Sequence, residues 1–447
     1  MRKDRQWPTG RMSGGDAVEE LTARAAATPA PAMATAPTAT AGATGSPTPA
    51  RSLAWIYTDD LHTQLDAATW IEATRHLRRL GWAVTLISAA EGDTSEGVSE
   101  IVGVPLQSLR KPRLWLLGQL VFHLRVLALI LRRRDTLDAV IFHEMSVLWL
   151  LPLRLLGSAR PRLVMDTRTL FMAPPQGVGL KDRLRWLYGD LMRALGNRFA
   201  DGRLCITAAM AEACAVPAEK LWGLWPSGVE PQRFAAPPDA RSWPRGGEPI
   251  ELIYVGALDP VRRLRALCSA VSAANAAQRR FRLTFVGGGS ERQALMEIAA
   301  GSDGAIRVLA QVAHAEVPAL LWGAHVGTLP FPDQQNLRVA SPIKLFEYMA
   351  AGLPVLATRI RCHTDVLDDA EFAFWADTAT PDALHAALEE LWQRRAELPR
   401  LGALAAAQAP SWSWAAAASS LNEALVRGLR HAERREAVKG ATIRRAR

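Results

Sequence analysis

Residues 341–360 read SPIKLFEYMAAGLPVLATRI. Ser341 is a favoured N-cap and Pro342 suits a first helical position, so a helix is predicted to start here. Gly352 and Pro354 end it, and VLAT then reads as a short buried strand. Ile343, Leu345, Phe346 and Met349 supply its apolar surface. Lys344 fits less well, because the positive end of the helix dipole disfavours a cation in the first turn. Glu347 follows one turn later, beside the same apolar surface.

The helix-then-strand pattern extends outward in both directions. LAWIY (53–57), WAVTLIS (82–88), AVIFHE (139–144) and RLVMDT (162–167) read as strands with helix-like runs between them. After the Pro/Gly-rich segment 237–249 a second series begins: ELIYVG, FRLTFVGGG, IRVLA, HVGTLPF and PVLAT. Short apolar strands alternating with helices imply parallel sheets built from βαβ units. Two such series imply an α/β protein of two Rossmann-like domains facing each other across a cleft. The expected divisions are a disordered Ala/Thr/Pro-rich segment 1–50, a first domain 51–236 and a second domain 237–409. A helix over 410–430 and a basic tail over 431–447 follow.

The 447 residues suffice for two cores, and 49% hydrophobic content fits a globular protein. A net charge of +9 suits an anionic partner without naming it. The basic residues are too scattered to predict nucleic acid as that partner. Cys205, Cys214, Cys268 and Cys362 show no metal or redox spacing and are read as buried thiols of a reducing compartment. The N-terminus has no apolar signal-like run, so a cytoplasmic protein is expected. One segment breaks the pattern. LWLLGQLVFHLRVLALIL (114–131) is nearly all apolar and ends in three arginines. His123 and Arg125 near its centre argue against a membrane span. A core helix is the expected reading, with docking of 110–134 on an anionic membrane face as the alternative.

In open α/β sheets ligands bind beyond the carboxyl ends of the strands, where glycines let the backbone approach. The second domain has three such points: Gly256, followed by Arg262; Gly287, Gly288 and Gly289; and SPIKLFE. A helix start carrying Lys344 is well arranged when it holds a phosphate, with Arg262 arriving from another loop. Glu347, one turn deeper, could then accept hydrogen bonds from a vicinal diol such as a ribose. The alternative is a solvent-facing Lys344 in an i, i+3 ion pair with Glu347, and the residues alone leave the two readings level.

PIKLFEYMAAGLPVLAT resembles the signature segment of the GT-B glycosyltransferases of family 4, which transfer sugars from nucleotide diphosphates with retention. LWGLWPSGVEPQRF (221–234), ELIYVGALDPVRRL, FRLTFVGGGSERQAL and APSWSWAAAASSLNEAL resemble, in order, that family's interdomain segment, phosphate loop, second loop and final crossing helix. The resemblance implies that Glu347 binds the donor ribose and that Arg262 and Lys344 act on the diphosphate. It places Ser341, Pro342 and Ile343 around the phosphates and transferred sugar, Gly256 and Gly287 to Gly289 in the donor cleft, and Val308 and Leu309 near the nucleobase. In the first domain His143 is expected to act at the acceptor, with Glu144, Asp166 and Arg168 beside it, though structural roles fit these four equally well.

The departures are specific. Val339 stands where the family often has a glutamate against the donor sugar. Pro342 replaces a glycine, Ala257 an arginine, and YTDDLHTQ a glycine-rich loop. No DxD metal motif is present, so no metal or other cofactor is expected. The implied activity is sugar transfer to a saccharide or lipid-linked acceptor, at the inner membrane face in the case of a lipid. An epimerase of the same fold and a non-catalytic partner subunit are the rivals.

Overall fold

The computed structural model describes residues 51–63, 67–91, 94–112, 115–155, 160–170 and 179–445. The segment 1–50 expected to be disordered lies outside them. The first domain is built on an eight-stranded sheet of order β3-β4-β2-β1-β5-β6-β7-β8. Its strands are β1 (Ser52–Ile56), β2 (Ala83–Ala90), β3 (Gly97–Ile101), β4 (Val104–Arg110), β5 (Ala139–Phe142), β6 (Arg162–Thr167), β7 (Gly202–Cys205) and β8 (Leu221–Leu224). The central strands β5 and β6 are buried along their whole length because both faces of the sheet are covered. Helix α1 (Ala67–Arg79) packs on one face. Helices α2 (Trp115–Arg133), α3 (Val147–Leu150) and α4 (Leu180–Phe199) layer the other.

Helix α2 is the segment that sequence left between core and membrane. Phe122, Val126 and Ile130 are fully buried against the sheet. His123 is buried with them, its Nδ1 2.8 Å from the Gln119 carbonyl and its Nε2 3.0 Å from Ser146 Oγ. Burial pushes its pKa down to about 4. No helix among the described residues is long and apolar enough to cross a membrane.

The second domain carries a six-stranded sheet of order β11-β10-β9-β12-β13-β14. Strands β9 (Ile250–Val255), β10 (Phe281–Val286), β11 (Ile306–Leu309), β12 (Val326–Leu329) and β13 (Val355–Thr358) are the five predicted ones, and β14 (Ala373–Ala376) adds an edge. All pair in parallel. The chain crosses between domains twice, and the crossings run side by side. Val229 N donates to the Trp412 carbonyl at 2.9 Å and Trp414 N to the Val229 carbonyl at 3.0 Å.

Helix α5 (Ala208–Ala213) belongs to the first domain, and α6 (Leu264–Ala274) follows the Arg262 turn of the second. Helix α7 (Ile343–Ala350) is the one predicted from the opening stretch. After the second crossing, α8 (Trp414–Arg445) returns across the first domain and runs on into the stretch read as a tail, which contains no proline to stop it. Its Leu421, Leu425 and Leu429 lie in the first domain's core, and its Asn422 accepts a 2.8 Å bond from Trp82 Nε1. All four cysteines are buried and free.

Candidate active site

Helix α7 starts one residue later than its sequence predicts. The N-cap position falls on Pro342, which has no side-chain acceptor, and the helix begins at Ile343. The Ser341 hydroxyl instead accepts a 3.1 Å bond from Ser227 N on the first crossing. Ser341 therefore joins the domains and does not cap the helix.

Lys344 lies flat over the end of β9. Gly256 there has φ 149°, and a Cβ at that position would overlap the lysine Cε. A Cβ at Gly287, φ 154°, would overlap the Gly256 carbonyl. The two strand ends and the helix start thus come together only because both residues are glycine. Burial lowers the pKa of Lys344; the Glu347 carboxylate opposes that shift and the Arg262 guanidinium adds to it. Arg262, in the turn before α6, stands with its Cζ 4.5 Å above the Phe331 ring centre. Neither cation has an ion pair within 4 Å among the described residues. Two unpaired cations whose fields meet at a helix start favour an anion between them.

The i, i+3 pair between Lys344 and Glu347 does not form. Glu347 is buried, and its Oε1 lies 3.0 Å from Nε2 of His314. His314 was not singled out by sequence; a lone histidine in a loop between β11 and the next helix carries no local signal. Glu347, His314, Lys344, Ile343, Gly256, Gly287 and Gly288 all line one cleft of about 760 Å³. Gln311 and Val312 line it beyond the end of β11, where Val308 and Leu309 were expected to act. Val308 packs against the domain core and Leu309 is exposed outside the cleft lining. Arg262, Ser341, Pro342 and Gly289 are not among the lining residues. The opposite wall comes from Thr69 and Glu72 of α1 and Glu230 of the first crossing.

Val339 is almost fully buried among Cys205, Ile206, Ala209 and Met210 of the first domain. Its carbonyl accepts a 2.8 Å bond from Thr207 Oγ1, the residue that caps α5. A carboxylate in that apolar seam would lose its hydration without a partner, so this position packs the domains together.

A second cavity of about 190 Å³ opens at the carboxyl ends of β1, β5 and β6. His143, Asp166 and Arg168 meet there, beside Tyr57 and Trp70. Asp166 accepts a 2.9 Å bond from Trp225 Nε1. Burial nevertheless raises its pKa to about 6, against the pull of Arg168 and that bond. Burial disfavours the His143 cation, but Glu144 more than compensates, and the imidazole titrates above its ordinary value. Glu144 sits behind the cavity, fully buried, with Oε2 2.7 Å from His143 Nε2, and orients that ring. Arg168 stacks on Trp225 at 3.8 Å and donates to Ser227 Oγ at 3.0 Å. Since Ser227 N reaches Ser341, a chain of contacts links this cavity to the start of α7.

Asp60 caps its own loop by accepting from His62 N at 2.9 Å, and Asp59 pairs with Lys111 at 2.9 Å. Among the described residues, the one group of side chains close enough to share a metal ion is Glu72, His76 and Glu230 at the cleft rim. Glu72 is also paired with Arg75.

Two family models match the chain. Glycosyl transferases group 1 matches residues 249–394, and a glycosyl transferase 4-like domain matches residues 67–221. No curated protein matches the sequence. The fold is similar to that of sucrose-phosphate synthase from Thermosynechococcus elongatus, at 17% identity and a TM-score of 0.67, over 86% of this chain and 100% of that one. Anabaena HepE in complex with UDP and glucose aligns at 13% identity and a TM-score of 0.61, covering 84% and 99% of the two chains. The catalytic domain of starch synthase IV from Arabidopsis thaliana, bound to ADP and acarbose, aligns at 12% and 0.63, covering 86% and 100%. At these identities the likeness is one of fold. With one model on each of its two Rossmann-like domains and a GT-B arrangement of both, the chain belongs to the family 4, group 1 glycosyltransferases.

Proposed function

We propose that the enzyme moves a sugar from a nucleoside-diphosphate donor, with retention, to an acceptor on a membrane lipid in surface-glycan assembly. The observation that carries the donor half is Lys344, without an ion pair among the described residues and at a helix start, with Glu347 one turn deeper in the same cleft. The diphosphate would meet the α7 amides, Lys344 and the field of Arg262, and the ribose hydroxyls would replace His314 as partners of Glu347. Sugar transfer passes through an oxocarbenium-like state while negative charge grows on the leaving diphosphate. Fixed cations and N–H groups act where that charge develops, and this reading gives them that work without a metal. HepE's complexes with UDP and with UDP-glucose, and that of starch synthase IV with ADP, support this class of donor.

The acceptor hydroxyl would enter through the second cavity, where His143 and Asp166 can take or hold a proton. The excess of basic residues in 110–134 supports an anionic membrane as the acceptor's setting, at the inner face.

The test is thermal stabilisation by UDP, GDP, ADP and TDP on the wild type and on Glu347→Ala. A nucleotide at about 100 times its Kd adds roughly 2.7 kcal/mol. Stabilisation of the wild type alone by one nucleotide is the expected result and identifies the base. Equal shifts in both proteins would remove Glu347 from the donor site, and no shift with any nucleotide would overturn the donor reading.

A further inference from the structure

Helices α2, α3 and α4 form one layer over the first domain's sheet, with Phe122, Val126, Val147 and Met192 turned inward. The outward side of that layer is apolar too. On α4, Leu180, Leu184, Leu187 and Leu191 recur at helical spacing and form a single row. Leu117, Leu120 and Leu124 of α2 and Leu148 of α3 continue the surface beside them. These eight leucines are 38–73% exposed. Rotation of α4 cannot hide its row. On its opposite face Gly196 packs so closely on Met165 of β6 that a Cβ would overlap the sulfur. A row of exposed leucines fixed in this way is a surface built for contact.

Its position and charge identify the contact. Each helix starts where a strand of the sheet has ended, so leucines in the leading parts of α2, α3 and α4 lie along the edge where the cleft opens. The three arginines that end the 110–134 run stand at the far edge instead. Helix α4 carries five basic residues and two acidic ones; on α2, Arg125 is paired with Glu96, and Arg132 and Arg133 belong to the far edge. Arg183 and Arg185 are exposed in the first turns of α4, where the helix dipole disfavours cations, and neither has an ion pair among the described residues. A second copy of the chain would set this positive face against itself in a two-fold contact. An anionic lipid surface complements both the leucines and the arginines.

We propose that the leucine face of α2, α3 and α4 docks the enzyme on an anionic membrane, leucines in the interface and the cleft edge turned towards the lipid. The inference rests on the proposed lipid-borne acceptor and adds the surface that brings the acceptor cavity to it. Since no described helix can span a membrane, the contact lies in the interface.

The experiment is co-sedimentation of the full chain with vesicles of phosphatidylglycerol and phosphatidylcholine, and of phosphatidylcholine alone. Wild type is compared with the double variants Leu184→Glu/Leu187→Glu and Arg183→Ala/Arg185→Ala, and nucleotide-induced melting shifts are recorded for each. The wild type is expected on the anionic vesicles only. The arginine variant should partition about thirty-fold more weakly, at roughly fivefold per cation. The leucine variant should stay in solution with its nucleotide shift intact. Equal partition of wild type and leucine variant, or no uptake of the wild type, overturns the proposal. So does a concentration-dependent dimer that the leucine variant abolishes, which would give the face to a second copy. Vesicle binding without a nucleotide shift in any variant would leave the docking face standing and overturn the donor reading alone.

Discussion

Gly256 and Lys344 occupy each other's space in a way that makes the lysine's position testable from the strand side. Gly256→Ala places a methyl group where the Lys344 Cε lies and displaces the amine from the strand end. Sugar transfer is expected to fall by about 10²–10³, the loss typical of removing one fixed group that stabilises developing charge. The purified variant's melting curve separates that loss from unfolding. Asp166 gives a second test. Its folded pKa of about 6 lies above the unfolded value of 3.8, so its contribution is fully present below about pH 4 and lost as pH rises through about 6. Asp166→Asn should therefore gain stability relative to wild type between about pH 4 and pH 6.5, by up to about 3 kcal/mol. Urea midpoints across that range check it, and a constant difference would contradict the shift. Lys344 and Glu347 stood out in sequence because a cation at a helix start conflicts with the dipole. The residues alone left an anion site and an i, i+3 ion pair level, and the structure shows Glu347 on His314 instead of that pair. His314 did not stand out, since its pairing with Glu347 joins residues 33 positions apart and leaves no local pattern.

At the scale of elements, β1, β2, β5, β6 and β9 to β13 were readable because strands covered on both faces are largely apolar, whereas the short strands β7, β8 and β14 were not read. The β3–β4 hairpin was missed, and its turn shows why. Ile101 pairs with Val104, leaving Val102 and Gly103 as a two-residue loop with φ values of 52° and 76°. Such turns are signalled by Asn-Gly or Asp-Gly, and a β-branched residue at the first position contradicts that signal. Val102→Asn should relieve the strain and stabilise the fold by about 1 kcal/mol. Val102 is exposed, so no core contact is lost, and a raised urea midpoint with unchanged m-value checks the gain. The start of α7 was misplaced by one residue for a different reason. Ser341 is an N-cap by preference, but a partner on the other domain holds its hydroxyl, and tertiary contacts override local preference.

Over the whole molecule, the domains are held by their two crossings and by contacts that bridge the seam. Arg361 of the second domain pairs with Glu212 on α5, Nη2 to Oε1 at 2.8 Å, and Val339 packs beside them. The stronger tie is α8, which begins at the second domain and completes the core of the first. Leu425→Ala, at a fully buried position, is expected to cost about 2–5 kcal/mol. The loss should appear in the first domain although the residue follows the second in sequence. Hydrogen exchange of β1 and β2 amides is the readout, and unchanged protection there would contradict it. This helix also orders events on the ribosome. When β8 has been made, nearly 200 residues remain to be made before Leu421 and Leu425 exist, roughly 10–40 s at ordinary rates of synthesis. Throughout that interval the nascent first domain presents the open groove that α8 will fill. That surface stays open to other apolar contacts until α8 has itself been made and packs into it.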